Sequence, residues 1–215
     1  MATTYNLQPT TYSGTFILIG RSGCGKGTQA ELLKKYVEEK DAEKHPVLYI
    51  ETGDRFRAFL SGNGYGSRLA REISEKGELQ PEFLAVCMWG EELLSKVTGN
   101  EHLIMDGSPR RLREAMALDT ALSFFKRQSP TVIHVDVSNE WSRERLKGRG
   151  RKDDLSEEEV NRRLSWFDSE VKPAIDWFRK EPAYKVVDIN GEQTIEEVHR
   201  DIISAIFNFQ TPNFQ

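Results

Sequence analysis

Apolar and polar residues follow two different periods along this chain, and each period predicts a different element. Short apolar runs, typical of strands buried in a parallel sheet, occur at Thr15–Ile19, Pro46–Ile50, Leu103–Met105, Val132–Val137 and Lys185–Ile189. Longer segments with helical spacing lie between them, at about Gly27–Lys40, Gly66–Lys76, Pro81–Val97, Arg111–Phe125, Glu140–Lys147, Ser156–Lys180 and Thr194–Phe209. This alternation predicts an α/β fold in which helices cover both faces of a five-stranded parallel sheet, a three-layer α/β/α arrangement.

Some of the predicted helices carry signals at their boundaries. Ser156 with Glu159 and Thr194 with Glu197 have the spacing of capping boxes, and Pro81 is suited to a first helical turn. Pro173 should kink or split the long helix that begins at Ser156. The insertions between the first three strands are large enough to form a small helical subdomain over the sheet.

Composition narrows the class of protein. The 215 residues fit one domain, and 38% hydrophobic with 30% charged residues is typical of a globular enzyme. A net charge of −4 argues against non-specific nucleic-acid binding, and no apolar run approaches the roughly 20 residues of a membrane span. Cys24 and Cys87 are too few for a disulfide framework or a four-thiolate zinc site, so we expect a cytoplasmic protein. Residues 1–14 resemble no signal peptide and are expected to be a flexible leader, with a short tail at 210–215.

A glycine-rich run follows the first predicted strand and opens the first predicted helix. Strand, loop and helix in this order predict a phosphate-binding loop, because curled backbone N–H groups and a helix N-terminus attract an anion. Lys26 would reach the outer phosphates. A glycine-rich turn with an incidental lysine is the alternative, which the flanking elements disfavour. The expected phosphate-binding residues are Gly20, Ser22, Gly23, Cys24, Gly25, Lys26, Gly27 and Thr28.

Gly27 and Cys24 are two residues of this loop whose roles the sequence does not decide. Gly27 stands where a Ser or Thr usually ligates magnesium. Cys24 near a helix N-terminus could have a lowered pKa, although a small residue tolerated there is the favoured interpretation. The four histidines show no metal-ligand spacing and are expected to be structural or exposed.

The run Gly25-Lys26-Gly27-Thr28-Gln29 resembles the phosphate loop of adenylate kinases and related nucleoside-monophosphate kinases. Three further segments follow in that family's order: Thr52-Gly53-Asp54-Arg55-Phe56-Arg57, Gly77-Glu78-Leu79-Gln80-Pro81 and Asp106-Gly107-Ser108-Pro109-Arg110. The resemblance covers about residues 15–209 and implies a single kinase domain with a monophosphate-binding insertion at about 52–81.

The resemblance also implies two nucleotide sites and a requirement for Mg²⁺. ATP would lie on the phosphate loop, while Arg57 and Arg110 would hold the phosphate of the acceptor. Other expected acceptor contacts are Thr52, Gly53, Glu78, Leu79, Gln80, Gly107 and Glu114. Asp106, at the end of a core strand beside the phosphate loop, is placed to order hydrated magnesium.

A cationic segment at about 145–154 resembles a trimmed form of the family's lid. Positive groups there would stabilise the charge on the transferring phosphoryl group. By the resemblance Arg145 stacks on the ATP base, Arg149, Arg151 and Arg163 act on the phosphates, and Asp153 and Asp154 brace the arginines. Arg162 could take part of the role of Arg163. A solvated basic patch or an RNA contact is the alternative; the lid is too short for a zinc site, so we expect no zinc.

Glu114 leaves the identity of the acceptor's base undecided, because adenylate kinases resemble one another in having Gln at this place. An ionised Glu only accepts hydrogen bonds, which suits guanine better than adenine, whereas Thr52 favours AMP. We therefore predict an adenylate kinase acting as a monomer on small nucleotides. A kinase for CMP, UMP or GMP and a non-catalytic nucleotide-binding regulator remain the alternatives.

Overall fold

The computed structural model describes residues 13–76, 78–149 and 157–207. Five strands and nine α-helices alternate over these residues. In chain order they are β1 (Thr15–Gly20), α1 (Lys26–Lys40), β2 (Val47–Glu51), α2 (Thr52–Leu60), α3 (Tyr65–Glu75), α4 (Glu82–Lys96), β3 (His102–Asp106), α5 (Leu112–Phe124), β4 (Thr131–Asp136), α6 (Asn139–Arg149), α7 (Glu157–Trp166), α8 (Lys172–Phe178), β5 (Lys185–Asn190) and α9 (Ile195–Phe207).

All five strands form one parallel sheet in the order β2-β3-β1-β4-β5, as the apolar runs predict. Every residue of β1 is buried, because the strand pairs on both edges and is covered on both faces. Ile17 and Ile19 pack on one face against α4, α5 and α8, whereas Phe16 and Leu18 pack on the other against α1 and α9. The three-layer prediction is thus confirmed for the described chain.

The predicted strands agree with the observed ones to within one residue at each end, but one helix was missed. Helix α2 begins at Thr52, directly after the last residue of β2, and Glu51 at its N-cap makes no side-chain capping bond. The usual signals of a helix start are therefore absent, and Gly53 in the first turn lowers the helical propensity further.

The predicted long helix from Ser156 is split, as Pro173 suggested. Helix α7 runs into a π-helical turn at Phe167–Val171, and Pro173 lies in the first turn of α8. Proline lacks an N–H and so is tolerated at a first turn but not farther inside a helix. The described part of α7 begins at Glu157, so the predicted cap at Ser156 lies outside the described residues.

Of the two other predicted helix starts, one is confirmed and one is shifted by a residue. The box at Thr194 and Glu197 is confirmed, because the Glu197 N–H donates to Thr194 Oγ1 at 3.3 Å and the Thr194 N–H donates to Glu197 Oε2 at 3.0 Å. Pro81 is the N-cap of α4 rather than a residue of its first turn. Residues 1–12 and 208–215 are outside the described chain, so the predicted leader and tail stay predictions. Among the described helices, none has the length and apolar content needed to cross a bilayer.

Candidate active site

A cavity of about 300 Å³ opens at the carboxyl ends of β1, β2 and β3. Parallel strands end on the same side, and the pairing of Leu18 with Asp106 brings the loop after β1 next to the end of β3. Most of the predicted site residues of the described chain line this cavity: Ser22, Lys26, Gly27, Gly53, Arg57, Glu78, Leu79, Gln80, Asp106, Gly107, Arg110, Glu114 and Arg163.

The loop between β1 and α1 has the backbone form that its glycines predict. Gly25 is the N-cap of α1 at φ 92°, a left-handed conformation that favours glycine. A side chain on Gly20 would meet the Val135 carbonyl oxygen at 2.5 Å. Lys26 Nζ donates a hydrogen bond to the Arg21 carbonyl oxygen at 3.1 Å, so the lysine is held across its own loop at the cavity wall.

Gly27 leaves room for the carboxylate of Asp106. A Cβ atom at Gly27 would lie only 3.2 Å from Asp106 Oδ2, which is closer than most side chains tolerate. Asp106 is 6% exposed, and its Oδ2 accepts a hydrogen bond from the Tyr49 hydroxyl at 3.4 Å. The residue that replaces the usual Ser or Thr therefore makes space for an oxygen ligand of the type that Mg²⁺ prefers, and these residues fit a hydrated magnesium ion.

Two arginines that line the cavity have different partners. Arg110 Nε donates to the Gly107 carbonyl oxygen at 2.9 Å, which folds the side chain back over its own turn. Arg57 forms ion pairs with Asp54 and, at 3.0 Å, with Glu51. Both residues line the cavity, and an incoming phosphate would compete with carboxylates for Arg57.

Glu114 lies in the first turn of α5 and is 4% exposed. Its Oε2 accepts the backbone N–H of Arg110 at 2.9 Å. Burial raises the pKa of Glu114, and the positive charges of Arg110 and Arg111 offset that effect only in part. The predicted site therefore contains a carboxyl group whose environment favours the proton.

Several predicted residues do not line the cavity. Thr52 is buried beside it, with its Cβ 4.0 Å from where a Cβ of Gly107 would stand. Thr28 is exposed on α1, and Arg145 lies over the ring of Trp141 at 4.9 Å. Arg149 is the last residue of α6, and Arg151, Asp153 and Asp154 lie outside the described residues, so the minimal lid stays a prediction.

Cys24 belongs to the core rather than to the chemistry. It is 4% exposed and packs with Phe16, Leu18 and Ala30. Desolvation raises the pKa of its thiol and outweighs the nearby Lys26. The thiolate interpretation is wrong, and the alternative of a small residue tolerated in the loop is the one that the packing supports.

The structure distinguishes the two arginines of α7. Arg163 lines the cavity, whereas Arg162 donates to the Lys76 carbonyl oxygen and pairs with Glu158 at 3.0 Å. Arg162 thus ties α7 to the end of α3 in the acceptor-side insertion.

Two positioning residues were missed by the sequence analysis. Arg111 donates to the Gln80 carbonyl oxygen at 3.1 Å and pairs with Glu170 at 3.0 Å, which anchors the turn before α4. Arg21 of the phosphate loop pairs with Asp168 in the π-helical turn. Their partners are 31 to 147 positions away, so no local pattern could have indicated them.

The cavity is lined by five basic and five acidic side chains. Lys26, Arg57, Arg110 and Arg163 surround a cavity that also holds Asp106. Several cations that line one cavity, with an oxygen ligand for a divalent metal among them, suit the binding and transfer of phosphoryl groups.

A family model and several known proteins match this chain over most of its length. Residues 18–183 match the family model described as adenylate kinase. An adenylate kinase of Flavobacterium psychrophilum is 32% identical, over 89% of this chain and 97% of the relative. Adenylate kinase 1 of a Nostoc species is also 32% identical, over 88% of this chain and 97% of the relative. An adenylate kinase of Leuconostoc mesenteroides is 30% identical, over 89% and 96%.

Proposed function

This chain belongs to the adenylate kinase family of phosphotransferases, and on that premise we propose that it transfers the γ-phosphoryl group of ATP to AMP, forming two molecules of ADP. The observation that carries the proposal is the convergence of Lys26, Arg57, Arg110 and Arg163 on the cavity that contains Asp106. The loop from Gly20 to Thr28 would bind the phosphates of ATP through its backbone, and the insertion around α2 and α3 would bind AMP.

Each charged residue has a separate task in this mechanism. Lys26 leaves the Arg21 carbonyl oxygen and contacts the outer phosphates of ATP, since a phosphate oxygen is a stronger acceptor than a neutral carbonyl. Arg57 and Arg110 hold the AMP phosphate, which itself supplies the attacking oxygen. Arg163, on α7, stabilises the charge on the phosphoryl group as it moves. No side chain acts as a covalent nucleophile.

Magnesium belongs to the proposal as the second source of positive charge. Asp106 would hold it through water beside Gly27, and the ion would neutralise charge on the β- and γ-phosphate oxygens. The arginines Arg145, Arg149 and Arg151, braced by Asp153 and Asp154, would complete the donor side. We further propose that the protein acts as a monomer in the cytoplasm, where its two free cysteines would stay reduced.

A second acceptor is favoured by one observation. Glu114 is buried in the cavity at the position where the family resemblance places a base-reading Gln. An ionised carboxylate there would prefer a base with two adjacent donors, which makes GMP the strongest competitor of AMP.

The test is product formation from Mg·ATP with AMP, CMP, UMP, GMP and their deoxy forms, separated by chromatography. We expect ADP from AMP as the dominant reaction, and a loss of at least about 100-fold in kcat for Lys26→Met. Lys35→Met, on an exposed position of the same helix, is the matched control and should keep full activity. Transfer to none of the acceptors would overturn the proposal and favour a nucleotide-binding regulator.

A further inference from the structure

The base end of the acceptor cavity contains a carboxyl group that can exist in two chemical forms. We propose that Glu114 selects the acceptor base through its protonation state: the protonated side chain recognises adenine, and the ionised side chain recognises a base edge with two adjacent donors, as in guanine. The inference rests on the proposed function and concerns the choice of substrate at that same site.

The position of Glu114 is fixed by the backbone rather than by a mobile partner. Its Oε2 accepts the Arg110 N–H at 2.9 Å, while the Arg110 side chain is turned away to the Gly107 carbonyl oxygen. We assign the Arg110 guanidinium to the phosphate of the acceptor and the Glu114 carboxyl group, in the first turn of α5, to its base. Both residues line the cavity.

The two protonation states present different hydrogen-bonding patterns from the same atoms. A neutral carboxyl group carries one donor and remaining acceptor capacity, which is the pattern of a glutamine amide; a carboxylate only accepts. Adenine presents a ring nitrogen acceptor beside an amino donor, whereas guanine presents a ring N–H donor beside an amino donor. Because both bases are purines of similar size, the cavity shape discriminates little between them and the hydrogen-bonding pattern decides.

The charges around Glu114 come from several elements. Arg110 and Arg111 at the start of α5 favour the ionised form, and Arg111 is itself paired with Glu170 of the π-helical turn at 3.0 Å. Glu82 of α4 opposes ionisation. Across the cavity, Arg57 is paired with Glu51 and Asp54, and α7 contributes both Glu159 and Arg163.

The effect of burial on the pKa of Glu114 outweighs the opposing effect of the two arginines. A side chain that is 4% exposed loses most of the water that would stabilise its charge, and this raises the pKa of Glu114 above its ordinary value. Adenine binding removes the remaining water and adds a partner that needs a donor, so the proton should be held more tightly in the AMP complex. AMP binding is therefore linked to proton uptake.

The experiment compares kcat/KM for AMP and GMP at saturating Mg·ATP between pH 5.5 and 8.5. The ratio of the two values cancels the titration of the acceptor phosphate and of groups that serve both substrates. We expect the AMP-to-GMP ratio for the unmodified protein to fall about tenfold per pH unit across this range, because AMP uses the protonated form of Glu114 and GMP uses the form with one proton fewer. Glu114→Gln should favour AMP at every pH, with a ratio that does not change.

A second variant makes the test sharper. Glu82→Gln removes the carboxylate that opposes ionisation of Glu114 and should lower the AMP-to-GMP ratio by the same factor at every pH, without changing its slope. If Glu114→Gln does not fold, calorimetry of AMP binding to the unmodified protein in buffers of different ionisation enthalpy gives the proton uptake directly.

The outcomes separate the inference from the proposed function. Transfer to AMP with a ratio that is constant over the whole pH range, or AMP binding without proton uptake, would overturn the inference alone. Absence of transfer to any monophosphate would overturn the proposed function.

Discussion

Arg21 and Asp168 join the phosphate loop to the π-helical turn, with Arg21 Nη2 3.1 Å from Asp168 Oδ1. The same guanidinium lies 4.1 Å above the Phe167 ring and donates to the Leu164 carbonyl oxygen at 3.4 Å. The carbonyl oxygen of Arg21 accepts from Lys26. One residue thus contacts Lys26 through its main chain and the helix that carries Arg163 through its side chain.

This arrangement predicts that Arg21 positions two catalytic groups relative to each other. Arg21→Met should lower kcat about tenfold or more with little change in KM, because a displacement of about 1 Å in a catalytic group has large effects on rate. Arg21→Lys, which keeps the charge but not the planar contact with Phe167, should recover only part of the rate. Steady-state kinetics with both substrates tests this; a fall in thermal stability with kcat unchanged would indicate a purely structural role.

The close approach of Gly27 and Asp106 predicts a specific cost for a methyl group. Gly27→Ala should push the Asp106 carboxylate away by a few tenths of an ångström and raise the magnesium concentration needed for half-maximal rate. Gly90→Ala, in the interior of α4 with no atom within 4 Å of the new Cβ, is the matched control and should stabilise its helix by about 1 kcal/mol. Equal magnesium titrations for the two variants would argue against Asp106 as the metal-binding group.

The pair of Arg127 and Glu101 predicts a large effect on stability far from the cavity. Their side chains are 5% and 4% exposed, and the Arg127 Nη1 to Glu101 Oε1 distance is 3.0 Å. Arg127→Met would leave Glu101 charged and buried, so we expect a loss of about 3–5 kcal/mol in the free energy of unfolding.

Urea denaturation measures that loss. The control is Arg200→Met, since the pair of Arg200 with Asp201 is exposed and should be worth at most about 1 kcal/mol. Similar losses for the two variants would mean that the buried pair does not stabilise the fold as its burial predicts.

Asp41 predicts a dependence of stability on pH. Burial opposes its charge, but hydrogen bonds from the backbone N–H groups of His45 and Glu43 and from the rings of His45 and His102 prevail and lower the pKa of Asp41 from 3.8 to about 2. Because the folded-state pKa is the lower one, the stabilisation is complete above about pH 4 and is lost as the pH falls towards 2.

We expect Asp41→Asn to cost about 2 kcal/mol at pH 7 and almost nothing at pH 2, measured by urea denaturation at each pH. Asp176→Asn, at an exposed position on α8, should show no such difference. A constant cost at all pH values would assign the effect to shape rather than to charge.

The same cluster illustrates what the sequence could and could not predict. The histidines lack metal-ligand spacing, yet His45 and His102 meet at Asp41 and form a group with metal-ligand chemistry. The Gly14 N–H donates to His102 Nδ1 at 3.0 Å, so Nε2 carries the proton and donates to Asp41, and the structural role predicted for them is the one that the hydrogen bonds support. The convergence depends on pairings between strands, which local patterns do not encode.

Elements that depend on local chemistry were predictable. The five strands contain short runs rich in apolar residues, and the loop around Lys26 has a fixed order of glycines between a strand and a helix. Helix α2, the tie between Arg21 and Asp168 and the burial of Thr52 were missed or misplaced, because each depends on what a distant segment packs against. At the candidate site most of the predicted residues line one cavity, and their distances from one another were not predictable from the sequence.

The central place of β1 has a consequence for how this protein is made. The first strand along the described chain pairs with β3 and β4, both of which the ribosome synthesises much later. Until then a strand with four consecutive large apolar residues, 16–19, exists with neither edge paired, which is the kind of segment that chaperones bind and that aggregates when synthesis outpaces folding. We therefore expect the yield of folded enzyme in a cell to depend on translation speed and chaperone supply more than on the stability of the finished molecule.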